Sequence, residues 1–160
     1  MKIKYGLGLS NIEIKKIVNR CGIKINGIYS KDELPSRLKK GFYIINLQSS
    51  NDGSGTHWTG VYIDNECDLY FDSEGFVPPS DLEGKLSFPY YYNAFEIQNE
   101  NAKSCGYWVL GFIIALNTSR NKFDGYVNFL KKFVNNTTND ENDLKKMFKC
   151  VKGIDEIITM

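Results

Sequence analysis

Cys105 stands between Ser104 and Gly106 at the head of a long apolar run, "SCGYWVLGFIIALN" (104–117). A run apolar on all sides predicts a buried helix, which puts the thiol at a helix N-terminus. Unpaired backbone N–H groups and the positive end of the helix dipole favour thiolate there, the reactive form of cysteine. Gly106 would let a substrate backbone approach. The plain alternative is a buried cysteine that begins an apolar helix. A nucleophilic thiolate needs a base, and the chain has one histidine, His57, in "GTHWTGVYID" (55–64). Any imidazole chemistry must therefore happen at His57, unless that residue is simply part of a strand. No second histidine and no neighbouring cysteine pair completes a metal-ligand set, so neither a metal nor another cofactor is expected.

A third group must orient the imidazole and stabilise imidazolium. Asp64, Asp68, Asp72 and Glu74 are the nearby carboxylates. "HWTGVYI" (57–63) and "DLYFDS" (68–73) read as strands, and the short polar link "DNEC" suggests an antiparallel hairpin. If Ile63 pairs with Asp68, His57 lies opposite Glu74, with Asp72 its diagonal neighbour on the same face. Asp64 would then sit about 20 Å away at the strand rise. Glu74 lies past the expected strand end, beside Gly75, which favours Asp72. A register change of one residue would reverse the face of Asp72; its other reading is a strand-end carboxylate that binds turn amides. Gln98 ends the aromatic run "YYYNAFEIQ" (90–98), seven residues before Cys105. Its amide could donate to an oxyanion, with the Cys105 N–H as second donor; taken singly, such a residue is more often a surface strand end.

The elements that must position these residues follow from the rest of the pattern. Ser10 and Glu13 have capping-box spacing, and Ile14, Ile17, Val18 and Cys21 form one face of a helix over 11–20. A turn region follows from Gly27 to Gly41, with Pro35 where a short helix could begin. "FYIINLQ" (42–48) reads as a buried strand, and "SSNDGSG" (49–55) as a loop. "FDGYVNFLKKFV" (123–134) and "ENDLKKMFKCV" (141–151) read as amphipathic helices. Strands in the middle with helices at both ends predict an α+β fold, as a single domain over 1–160.

Composition bounds the partners. Net charge is +1, so no global field draws the chain to nucleic acid or membrane. The basic pairs Lys131-Lys132 and Lys145-Lys146 read as solvated helix faces. The longest apolar run, 108–116, is too short to span a bilayer, and the N-terminus lacks the apolar stretch of a signal peptide. These features predict a soluble intracellular protein. Cys21, Cys67, Cys105 and Cys150 contain no C-x-x-C and are expected as free thiols in a reducing compartment.

Together, "GTHW", "YFDSEG", "EIQ" and "SCGYW" present His57, Asp72, Gln98 and Cys105 in one order. This order and spacing resemble the adenovirus-protease and Ulp1-like clan of cysteine peptidases. In papain-like enzymes the nucleophile precedes the histidine; here it follows. "GIYSKDELP" (27–35), "GFYIINLQSS" (41–50), "YFDSEGFVPP" (70–79) and "QNENAKSCGYWVLGFI" (98–113) resemble more closely the maturation proteases of virophages, Polinton-type elements and other large DNA viruses. The resemblance covers roughly 25–115. The acidic member is Asp, as in Ulp1-like enzymes, where adenovirus protease has Glu. Glu74 stands where an aromatic is common.

The resemblance implies a central mixed or antiparallel sheet packed on a buried helix that carries the nucleophile, with flanking terminal helices. It implies Cys105 as nucleophile, His57 as base and then acid, Asp72 as orienter, and Gln98 with the Cys105 amide as oxyanion hole. Trp58 would wall a narrow substrate channel next to His57, or else fill the core. The implied activity is endopeptidase cleavage of viral capsid or structural precursors after small residues such as glycine, by a monomer in the virion and host-cell cytoplasm. A deubiquitinase or deSUMOylase of the same clan is the second reading, and a catalytically silent binding module the third. Activation by DNA does not fit the charge.

Overall fold

The computed structural model describes residues 1–51, 57–64, 67–99, 102–133 and 138–160; the side chains of 138 and 139 are not among them. The expected hairpin turn and the 49–55 loop lie partly outside the described residues. Strand β1 (Ile3–Lys4) leads to helix α1 (Asn11–Arg20). Its capping box is formed in both directions: Ser10 Oγ accepts from Glu13 N–H at 3.2 Å, and Glu13 Oε2 accepts from Ser10 N–H at 2.8 Å. The helix buries Ile14, Ile17 and Val18.

Strands β2 (Gly27–Ser30), β3 (Gly41–Asn46), β4 (Trp58–Ile63) and β5 (Asp68–Phe71) come next. A short helix α2 (Ser80–Glu83) and strand β6 (Tyr90–Tyr92) complete a five-stranded sheet of order β2-β3-β4-β5-β6. The two central junctions, β3-β4 and β4-β5, are antiparallel, and the two outer ones parallel. Gly60 pairs with Phe71 and Val61 with Tyr70, the register that follows from setting Ile63 against Asp68. Helices α3 (Cys105–Asn117), α4 (Lys122–Lys131) and α5 (Thr138–Lys149) follow, and β7 (Ile158–Thr159) pairs in parallel with β1.

Both faces of the sheet are covered, so its strands read as continuous apolar runs rather than alternating ones. Phe42, Ile44, Trp58, Tyr62, Leu69 and Phe71 face the helical layer. Tyr43, Ile45, Val61, Ile63 and Tyr70 face a smaller core closed by Leu38, Leu82 and Leu86. Ten of the thirteen residues of α3 are buried, which requires cover on every side: β4 below it, with α1, α4 and α5 around it. Each large apolar side chain buried in this way contributes about 1.5–3 kcal/mol, which makes α3 the element on which the core is built. Gly60 permits the close approach of α3. A Cβ there would meet Val109 at 3.0 Å and Phe112 at 3.2 Å. Phe71 and Phe112 stack at 5.3 Å across the same layer.

Four expectations are corrected. The strand over 90–98 ends at Tyr92, because the chain beyond it bonds to the turn after β5 instead of extending the ladder. The turn region at Gly27 contains β2, a parallel partner of β3. No helix begins at Pro35; a single 3-10 turn over Lys31–Glu33 precedes it. The strand over 68–73 stops at Phe71, so Asp72 leaves the ladder and turns to other partners.

Candidate active site

His57 immediately precedes β4 and Asp72 immediately follows β5, so the antiparallel register brings them to the same end of the sheet. His57 Nε2 lies 2.6 Å from Asp72 Oδ1. The Asp72 side chain is fully buried, and that of His57 is 13% exposed. The same Oδ1 accepts from the Glu74 N–H at 2.8 Å. Gly75 closes this turn at φ +77°, where a Cβ would lie 2.5 Å from the Phe95 carbonyl carbon. Glu74 therefore supports Asp72 through its backbone, and its carboxylate comes no nearer to His57 than 3.9 Å, at Nδ1.

Cys105 is the first residue of α3 and is 8% exposed. It lies near enough to His57 to help raise the imidazole pKa. Nε2 is committed to Asp72, so Nδ1 is the nitrogen left for the thiol. Burial works to lower the His57 pKa, but hydrogen bonds and charge attraction from Asp72 and Cys105 outweigh it and push it up to about 10. The imidazole is thus in its protonated form at neutral pH.

Gln98 reaches this end of the sheet by way of Ser73. The Ser73 carbonyl accepts the Ile97 and Gln98 N–H groups at 2.9 and 3.1 Å, and Ser73 Oγ donates to Gln98 Oε1 at 2.7 Å. Gln98 Nε2 donates to the Ala102 carbonyl at 2.6 Å, which turns the amide nitrogen towards the segment that leads into Cys105.

Trp58 and Gly106 lie side by side. Trp58 is 7% exposed, and its Nε1–H donates to the Leu9 carbonyl at 2.8 Å. A Cβ on Gly106 would meet Leu9 at 3.1 Å and Trp58 at 3.4 Å. The glycine therefore admits the segment before α1 against the head of α3, and the indole takes part in that packing.

Two groups that the sequence reading passed over hold the site. Asn93 is buried and clamps Asp72 by its backbone: Asn93 Oδ1 accepts the Asp72 N–H at 3.0 Å, and Nδ2 donates to the Asp72 carbonyl at 2.5 Å. Its partners are backbone groups, which leave no pattern in a sequence. Asn93→Ala should cost about 3 kcal/mol in urea unfolding, since two buried backbone groups each lose a partner worth ~1–3 kcal/mol. An unchanged midpoint would show the clamp to be idle. Glu141 on α5 is the second such group.

His57, Asp72 and Glu74 each offer a ligand atom within 4.8 Å of the others. Asp72 and Glu74 approach opposite nitrogens of the ring, so the three bracket the imidazole rather than converge on one ion.

The fold is a buried helix that begins at a cysteine, laid across a mixed sheet that carries a His–Asp pair at the same end. It is shared with the crystal structure of the Se-Met ASFV pS273R protease at a TM-score of 0.55 and 17% identity, over 100% of this chain and 72% of that one. The crystal structure of the ASFV pS273R protease aligns at a TM-score of 0.53 and 16% identity, over 89% of this chain and 67% of that one. No protein-family model and no curated protein matches the sequence. Among the described residues, no helix is long and apolar enough to cross a membrane.

Proposed function

We propose that this protein is a cysteine endopeptidase of the adenovirus-protease and Ulp1-like clan. In this reading it is a single-domain monomer of the virion and host-cell cytoplasm that cuts viral capsid or structural precursors after small residues such as glycine. The observation that carries the proposal is the His57–Asp72 contact of 2.6 Å, on an imidazole whose pKa is raised in part by the cysteine at the head of α3. The shared fold with a protease supports it.

The chemistry follows from the two edges of the ring. Cys105 Sγ, as thiolate, attacks the scissile carbonyl carbon and forms a C–S bond. The oxyanion accepts from the Cys105 N–H and from Gln98 Nε2, donors that strengthen as charge develops. His57 passes its Nδ1 proton to the leaving amine, the C–N bond breaks, and a thioester remains. Water then attacks that thioester with His57 as base, releasing the acid and restoring Cys105. Asp72 holds Nε2–H throughout and keeps Nδ1 facing the thiol.

The test is incubation with the major capsid protein of the source virus, with the cut mapped by mass spectrometry. One or few cuts after small residues, absent with Cys105→Ala, are the expected result. Intact capsid protein together with rapid labelling of Cys105 by a ubiquitin- or SUMO-derived vinyl sulfone would replace this reading with the isopeptidase one.

A further inference from the structure

The head of α3 lacks an ordinary cap. Ser104 occupies the N-cap position, yet its hydroxyl makes no capping bond to the helix. It is turned instead to Glu141 on α5, at 3.0 Å from Oε1 and 2.9 Å from Oε2. The same carboxylate accepts from the Asn99 N–H at 3.2 Å and from Trp108 Nε1–H at 3.1 Å. Asn99 directly follows Gln98, Ser104 directly precedes Cys105, and Trp108 lies one turn into α3. One carboxylate thus ties together the two ends of the segment that separates the Gln98 amide from the Cys105 N–H.

From this geometry we infer that Glu141 is a positioning residue for the oxyanion hole. The inference deepens the peptidase reading and rests on it. A pair of donors stabilises developing charge only if their spacing is set before the reaction. Residues 98 and 105 lie on different elements, and the bonds from Ser73 secure Gln98 to the turn after β5 rather than to α3. Glu141 supplies the missing link from outside both. By drawing the Ser104 hydroxyl away from the first helical turn, it also leaves those N–H groups without a side-chain cap, aimed at the place where the oxyanion forms. Glu141 does not touch the substrate, so its effect falls on the stabilisation of charge and not on the thiolate.

Glu141→Ala should lower kcat by about 10–100-fold, less than the ~10²–10³ lost with a whole oxyanion donor. KM and the rate of Cys105 alkylation by iodoacetamide should stay within about twofold, since binding and the His57–Cys105 pair are left intact. Glu141→Gln should recover most of kcat: its oxygen still accepts from Asn99 and Trp108, and its NH2 can donate to Ser104 Oγ. Amide hydrogen exchange over 97–106 should rise in Glu141→Ala and be restored in Glu141→Gln. A wild-type kcat in Glu141→Ala overturns the inference. So does an equal fall in kcat and alkylation rate, which would mark a general loss of structure. Exchange needs no substrate, so it separates the two proposals: unchanged exchange in Glu141→Ala overturns the tether, whereas raised exchange with an inactive wild type overturns the peptidase reading alone.

Discussion

Cys105→Ala should abolish peptide cleavage, by at least about 10⁴-fold, while the fold survives. The substitution removes one sulfur from a position that is 8% exposed, a change that costs on the order of 1 kcal/mol. His57→Ala should be equally inactive, because the chain holds one histidine and no second imidazole can take over. The two variants differ in stability. His57→Ala strands the fully buried Asp72 carboxylate without its cation, and breaking a buried pair in this way costs about 3–5 kcal/mol. Cleavage assays beside thermal unfolding should therefore find two dead proteins, one near wild-type stability and one clearly below it. Wild-type turnover in either variant would remove that residue from the mechanism.

The sequence shows why the two partners meet. Hairpin register is set by apolar pairing and by the length of the turn; the sequence left it open by one residue, and the structure pairs Val61 with Tyr70 on one face and Tyr62 with Leu69 on the other. Once that register is fixed, Asp72 must lie diagonal to His57. The helix over 11–20 was equally legible, because Ser10 and Glu13 satisfy each other locally.

What escaped the sequence depends on contacts between distant segments. β2 has a glycine and only half-buried side chains, so its strand character comes from pairing with β3, whose backbone lies sixteen residues on. The aromatic run at 90–98 has high β-propensity throughout, yet Asn93 ends the strand by spending its amide on the Asp72 backbone. Glu141 sits in a polar amphipathic stretch and reads as one more surface carboxylate. Its three donors come from residues 99, 104 and 108, more than thirty positions earlier. The His57–Asp72 pair and the cysteine at the head of α3 were thus legible by type and order, and the groups that hold them were not, because backbone and single-residue partners carry no periodicity.

Asp72→Asn should keep the fold and lower kcat by roughly 10²–10⁴-fold. The Glu74 N–H points at Oδ1, so the asparagine will place its oxygen there, still facing His57 Nε2. The NH2 then takes the position of Oδ2, a buried atom with no partner among the described residues, at a stability cost of about 1–3 kcal/mol. What is lost at the ring is charge. Burial disfavours the imidazolium, and Asp72 supplies part of the opposing attraction that lifts the His57 pKa from 6.5 to about 10. In the wild type, kcat/KM should fall on the alkaline side near pH 10, as His57 loses the proton it must give to the leaving amine. Without the Asp72 charge that limb moves to lower pH. Stability carries the same sign. The His57–Asp72 contribution is fully present below pH 6.5 and is lost as pH rises through about 10. The Tm gap between wild type and Asp72→Asn should therefore be widest near pH 6 and narrow towards pH 10. A limb and a Tm gap that both ignore the substitution would mean that Asp72 orients His57 by shape alone.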